Sequence, residues 1–393
     1  MFRLLILIIV LITCLQVGGK EPAVQVGAEQ LKEYLPLLKG KRVGLMVNQS
    51  SLVGNRHLVD VLKAMRVNIS AIITVEHGFR GDHGAGESVD SSVDEKTQIP
   101  IISLYGKQKE LTSEQAASID VLIYDLQDVG VRFYTYSRSL HNLIQSCKDY
   151  DKSMIILDRP NPNGDYIAGP VLEPHLKSGL SIDPLPLVHG LTMGELGKMI
   201  QGENWLEGDG KCDLSVIPVK HYDHDTPYSL PVRPSPNLPN DLSIRLYPTL
   251  ALFEGTSVSV GRGTDWPFQV LGYPDPDMGT FEFTTRAIRG SWSKLNHTGK
   301  ELYGERFVKA EKFSLKPLLR WHKQFTSKNM SLISRPGFFD KLLGTESVRE
   351  QILQNKNMEA IESGWQSDLN NYQQIRKKYL LYPDSEWNKK NYP

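Results

Sequence analysis

Residues 121–126 read VLIYDL, and residues 127–136 continue as QDVGVRFYTY. An almost wholly apolar run of this length, closed by an acid and a glycine-containing turn, is the pattern of a strand buried on both faces. The stretch that follows, residues 135–150, changes period. Tyr136, Leu140, Leu143, Ile144 and Cys147 recur at three- and four-residue steps, which predicts a helix with one apolar face. Working outward, the same alternation repeats. RVGLMV at 42–47, residues 69–75, IPIISL at 99–104 and MIIL at 154–157 are apolar runs. Residues 55–65 place Leu58, Val61, Leu62 and Met65 on one helical face. Strands that are nearly continuous in apolar residues and alternate with helices imply an α/β fold. Its parallel sheet would be covered on both faces.

The patterning changes after residue 220. Residues 221–248 contain Pro227, Pro231, Pro234, Pro236 and Pro239, which read as an extended ordered crossing. Beyond it, residues 257–260 look like a short strand. Residues 358–379 carry Met358, Ile361, Trp365, Leu369, Tyr372, Ile375 and Tyr379 at helical spacing. The expected division is a leader at 1–19, a parallel-sheet domain at 20–243 and a smaller α+β unit at 244–393. The leader reads Met1-Phe2-Arg3 and is then uncharged to Gly19. That is the form of a cleavable signal peptide, and at about 16 uncharged residues it is short for a membrane span. A secreted or periplasmic location follows as an expectation. Cys147 and Cys212 would then remain. One disulfide is possible, with two buried thiols the favoured expectation.

In an open parallel sheet, ligands bind beyond the carboxyl ends of the strands. Asn48 and Gln49 follow the first strand. EHGFRG at 76–81 follows the second. Asp125, Gln127, Asp128, Arg132 and Tyr134 follow the run at 121–126, and Asp158, Arg159, Asn161 and Asn163 follow the last. Any one of these could be a cap or turn residue, but the set converges on one edge. Glu76 directly ends an apolar strand, where a carboxyl held protonated near neutrality serves as a general acid. Glycoside hydrolysis needs a second carboxyl across the scissile bond. Asp128 is the first candidate, and Asp125 is the other, or else a structural group capping backbone N–H. His77 could orient Glu76, and Arg80 could grip a carboxylate through two parallel hydrogen bonds. Asn48, Gln127, Arg132, Arg159 and Asn161 are further binding candidates, with Tyr134 a flat face for a sugar ring.

Other classes are disfavoured. The 393 residues hold 45 basic and 45 acidic side chains, so no basic excess supports nucleic-acid binding. There is no G-x-G-x-x-G after the first strand and no G-x-x-x-x-G-K-[ST], so a nucleotide cofactor lacks its phosphate cradle. No cofactor is expected. No G-x-S-x-G elbow is present. Glu76, His77, His83 and Asp125 match no strong metal-ligand spacing, and no metal site is expected. A non-catalytic sugar-binding protein and a metal-dependent hydrolase are the competing readings.

Several segments together resemble the exo-β-N-acetylmuramidase family, formerly a domain family of unknown function. They are GLMVNQSS (44–51), EHGFRG (76–81), DLQDVGVRFYTY (125–136) and DRPNPNG (158–164), followed by PSPNLP (234–239), FEGTSVSVGRGTDWPF (253–268) and WQSDLNNYQQIRKKYLLYP (365–383). The resemblance implies a Rossmann-like catalytic domain with a C-terminal auxiliary domain. It implies release of non-reducing terminal N-acetylmuramic acid from peptidoglycan fragments, with Glu76 catalytic. The lactyl carboxylate of that sugar would account for an arginine in the site: Arg80, Arg132, Arg159, or Arg262 from the second domain.

Overall fold

The computed structural model describes residues 22–76, 78–79, 92–287 and 296–392. The expected leader, His77 and Arg80 lie outside these residues. The central sheet has seven strands: β1 (Val43–Val47), β2 (Ile69–Thr74), β3 (Ser92–Val93), β4 (Pro100–Ser103), β5 (Val121–Asp125), β6 (Ser153–Leu157) and β7 (Asp213–Ile217). Their order is β7-β6-β5-β1-β2-β4-β3. All neighbours are parallel except the short edge strand β3, which runs against β4. This is the α/β parallel sheet that the apolar runs predict.

Strand periodicity divides the core. Val121 and Ile123 join one apolar cluster with Leu45, Ile72 and Ile155. Leu122 and Tyr124 join the other with Met46, Ile73 and Ile156. Successive side chains point to opposite faces, so each strand feeds two cores. A fully buried Leu or Ile contributes about 1.5–3 kcal/mol, which is why all of β1 and β5 is apolar or internally paired. Helices α1 (Leu58–Ala64), α2 (Ser113–Ala117), α3 (Tyr136–Asp149) and α4 (Met193–Gly202) belong to this domain. Numbering runs outward in both directions from β1, so the order reverses between β1 and β5. That is the switch point where a crevice opens at the carboxyl edge.

The chain crosses to the second unit through α5 (Asp241–Leu250), capped by the Asn240 side chain accepting from the Ser243 N–H. The boundary expected at 243/244 therefore falls inside a helix. The unit holds an antiparallel sheet of β8 (Val270–Tyr273), β9 (Phe281–Thr284) and β10 (Glu301–Arg306), in the order β8-β10-β9. It also holds α6 (Lys316–Ser327), α7 (Pro336–Leu343) and α8 (Gln366–Arg376) among its helices. Two expectations fail here. Residues 257–260 form no strand, only a bridge from Ser259 to Gly272. Residues 358–379 are not one helix. They split into Met358–Ser363 and α8, interrupted at Gly364 and Trp365, where glycine weakens helical continuation. Ile361, Trp365, Leu369 and Tyr372 are all still buried, so the apolar stripe survives the break.

The expectation of two free thiols also fails. Cys147, in the last turn of α3, is disulfide-bonded to Cys212 just before β7. The helix lies across the sheet, so its end meets the entry to β7.

Arg132 joins the two units. Its guanidinium is fully buried and meets no carboxylate among the described residues. Nη1 donates to the carbonyls of Pro170 and Leu185, both at 2.8 Å, and Nη2 donates to Leu342 at 2.9 Å. Leu342 lies in the last turn of α7, where carbonyls carry partial negative charge. Burial pulls the Arg132 pKa down to about 9. Gly344 follows with φ +81°, and a Cβ there would sit 2.4 Å from Nη2. We expect Gly344→Ala to lower stability by about 2 kcal/mol or more, from left-handed strain plus displacement of the guanidinium. Urea unfolding would measure it. A Cys147→Ser, Cys212→Ser double variant should lose about 2–4 kcal/mol by the same assay.

Candidate active site

A cleft of about 590 Å³ opens where the carboxyl edge of the sheet faces the second unit. This is within the usual range for small-ligand sites. Glu76 stands on its sheet side, two residues beyond β2. Gly78 takes φ +71°, and its N–H returns to the Val75 carbonyl at 3.1 Å, so the chain turns sharply around Glu76. Glycine adopts that left-handed φ without a Cβ penalty. The Phe79 ring then packs edge-on against His57 at 4.8 Å.

Two neighbouring strand ends hold the carboxylate. The Tyr105 hydroxyl, beyond β4, donates to Oε1 at 3.2 Å. The Thr135 hydroxyl, beyond β5, donates to Oε2 at 3.0 Å. Thr135 is the residue before α3, yet its side chain caps no helix N–H. Its hydroxyl is committed to Glu76 instead of the usual capping role.

Aromatic rings floor the cleft. Tyr134 and Tyr136 meet edge-on at 4.8 Å, Tyr247 of α5 reaches Tyr134 at 6.2 Å, and Phe268 supports Tyr247 at 4.9 Å. The opposite wall carries Glu254 and Arg262, with Arg262 Nε donating to Glu254 Oε1 at 2.6 Å. Burial works against the Arg262 charge, but Glu254 beside it raises its pKa overall. Arg262 also stacks over Phe268, 4.9 Å from the ring centre. Near Glu76 the cleft is lined by Lys109 and Arg138. Burial lowers the Lys109 pKa and Arg138 lowers it further, with Glu76 partly offsetting them. Burial likewise lowers Arg138.

The structure sorts the candidate residues sharply. Glu76, Tyr134 and Arg262 line the cleft. Asp125 does not: it is fully buried, and Arg159 donates to both its oxygens, Nε at 2.6 Å and Nη2 at 3.0 Å. That removes Arg159 from the cleft as well. Asp128 is buried beneath it, accepting the Gly130 N–H at 2.6 Å, with His189 Nε2 3.5 Å away. Asn48 is internal, donating to the Tyr136 hydroxyl at 2.7 Å. Gln127 spans the Asp128 and Pro160 carbonyls, and Asn161 donates to the Leu191 carbonyl. Arg132 is the inter-unit clamp. Asp158 accepts from Tyr382, Thr192 and the Gly194 N–H, tying the sheet to the C-terminal segment. Burial lifts Asp158 to about 6 although those bonds pull the other way. Among the described residues no three His, Cys, Asp or Glu side chains converge to hold a metal.

Sequence reasoning passed over Tyr105, Lys109, Thr135, Arg138, Tyr247 and Glu254. Tyr105 follows β4, and the strand-exit rule that singles out Glu76 applies equally to it. Glu254 lies in FEGTSVSVGRG beside Arg262 but belongs to no strand end.

Two family models cover nearly all of the chain. That for the N-terminal domain of the exo-β-N-acetylmuramidase NamZ matches residues 43–242, and that for its C-terminal domain matches residues 245–382. The chain belongs to the NamZ family. The peptidoglycan β-N-acetylmuramidase NamZ of Bacillus subtilis is 36% identical over 390 residues, covering 93% of this chain and 92% of that protein. Two crystal structures of DUF1343 family proteins from Bacteroides fragilis share the fold. One has a TM-score of 0.84 and 40% identity, over 93% of this chain and 100% of that one. The other has 0.79 and 28%, over 91% and 99%. The central sheet and smaller C-terminal unit are thus the NamZ-family architecture.

The Asp125–Arg159 pair makes a separable prediction. Asp125→Ala should cost about 3–5 kcal/mol of stability by stranding a buried guanidinium. Denaturant titration would read this. A variant as stable as the parent would mean that Arg159 does not depend on Asp125.

Proposed function

We propose that this protein is an exo-acting β-N-acetylmuramidase that releases non-reducing terminal N-acetylmuramic acid from peptidoglycan fragments, with Glu76 the general acid. The observation that carries this is Glu76 itself. It is a half-buried carboxyl at a strand end, held by two hydroxyls and facing a cleft of sugar-ring size in a NamZ-family chain. In the reaction Glu76 gives its proton to the glycosidic oxygen as the bond to the anomeric carbon breaks. The bonding electron pair leaves with the departing sugar, and water completes the anomeric centre. Tyr105 and Thr135 hold the carboxyl in one orientation. Tyr134 and Tyr247 offer faces for the ring, which tolerates stacking on its apolar side.

Hydrolysis calls for a second carboxylate facing the developing positive charge. Glu254 has the better claim than Asp125 or Asp128, because it lines the cleft and they do not. Arg262 fixes its direction. The aspartates suggested by sequence serve the frame instead. A secreted or periplasmic location belongs to the same proposal. The Cys147–Cys212 disulfide supports it, since such bonds persist in oxidising compartments.

Glu76→Gln should lower kcat on a chromogenic β-N-acetylmuramic acid glycoside by about 10²–10⁴-fold with unchanged melting. Near-normal turnover would remove Glu76 as the acid. Glu254→Gln should also lower kcat, by about 10²-fold or more, with little effect on ligand affinity. Activity unaltered in that variant would leave the second carboxylate unassigned.

A further inference from the structure

The cleft contains a guanidinium that the reaction as described does not use. Arg138 lies in the first turn of α3, on the Glu76 side of the cleft. Its Nε is buried without a hydrogen-bond partner. Among the described residues Glu110 acts on it electrostatically without forming an ion pair. The other inward-facing arginines are treated differently. Arg159, Arg262 and Arg376 each hold a carboxylate, and Arg132, whose Nε also lacks a partner, has its three carbonyls on Nη1 and Nη2.

Arg138 does not stay for the sake of the helix. A cation in the first turn opposes the helix dipole. Nor is it a solvated surface charge, since burial lowers its pKa. Lys109 lines the same cleft from the loop after β4, has no ion pair among the described residues, and lies over the Tyr105 ring at 5.3 Å. Two neighbouring cations, both partly desolvated and neither in an ion pair among the described residues, are arranged to receive an anion. Unpaired buried charge is expensive in a resting protein and is relieved when the ligand supplies the counter-charge.

We propose that Arg138, assisted by Lys109, is the receptor for the carboxylate of the bound sugar acid, the lactyl group on O3 of the terminal residue. This rests on the muramidase reading for the identity of the sugar. The planar guanidinium gives two parallel hydrogen bonds to a carboxylate, and Lys109 adds a point charge. Arg132 and Arg159 are committed to the frame, and Arg262 is committed to Glu254. Arg138 thus replaces them as the acid-recognising arginine. The same contact places Glu76 beside the ring that carries the lactyl group, because Thr135, three residues earlier, holds Glu76.

The test is calorimetric titration with free N-acetylmuramic acid and with its lactyl carboxamide, which keeps the shape and removes the charge. The wild-type protein should bind the acid about 10- to 100-fold more tightly than the amide. Arg138→Gln should bring the two within a few-fold, Arg138→Lys should restore part of the preference, and Lys109→Gln should reduce it less. Melting curves accompany each variant. If Arg138→Gln does not fold, Arg138→Lys and Lys109→Gln carry the same comparison. A wild-type protein that binds neither compound or both equally, or an Arg138→Gln protein that keeps the preference, overturns the proposal. Glycoside cleavage assays separate the two readings. Glu76-dependent cleavage without acid preference leaves the muramidase and sinks the subsite. Arg138-dependent acid preference without cleavage does the reverse.

Discussion

The cleft exists because Arg132 is buried. A guanidinium with no carboxylate is an expensive object in a protein interior, and this one is made tolerable by three carbonyls arriving from three separate places. Pro170 and Leu185 belong to a small β-hairpin region of the first domain, and Leu342 belongs to α7 of the second. Any rigid-body separation of the two units would strand the charge. The geometry is unforgiving, since Gly344 leaves no room for even a methyl group beside Nη2. Phe133, Tyr134 and Thr135 follow Arg132 directly in the chain, and Phe338 and Leu342 lie on the facing helix. All five line the cleft. One buried cation therefore sets the distance between the wall that carries Glu76 and the wall that carries Glu254.

A second constraint works across the sheet edge. Parallel strands end in register, so their exits present side chains to a common crevice. Glu76, Tyr105 and Thr135 come from three different strand exits and meet in two hydrogen bonds. A carboxyl fixed at both oxygens has lost its rotamer freedom before substrate arrives, and that order is supplied by folding. The commitment of Thr135 to Glu76 leaves the start of α3 without its side-chain cap, a local loss of about 1 kcal/mol accepted for the site.

The sheet was legible because burial on both faces forces an apolar run, and each of the five runs expected in the parallel sheet became a strand or most of one. Glu76 was legible because an acid ending such a run has few structural excuses. Several other polar residues at strand ends read the same way in sequence and are instead paired inside the protein. Asp125 and Arg159 sit one strand apart and satisfy each other. Asn48 reaches Tyr136, and Asn161 reaches a carbonyl. Sequence reports that a polar group lies at the sheet edge, but not whether it turns outward to the crevice or sideways to its neighbour. That choice depends on which strands are adjacent, and adjacency appears only in three dimensions. The disulfide was hidden for the same reason, its two cysteines being 65 positions apart. The break at Gly364 was hidden because the apolar stripe continues across it.

The distinction between frame and site follows from how completely polar groups are paired. Asp125, Asp158 and Arg376 are deeply buried and have their hydrogen bonds within the protein. Such groups define where elements sit, and a ligand has nothing to offer them. Around the cleft the pairing is partial. Among the described residues Glu76 takes two neutral hydroxyls and no cation, while Arg138 and Lys109 have no ion pair. A protein under selection for stability alone would place Glu76 and one of those cations in contact, as it does for Asp125 and Arg159. Keeping the acid and the cations apart leaves both free to act on something else. That separation, a carboxyl held by two hydroxyls beside cations with no ion pair among the described residues, is what sets the cleft apart from the frame.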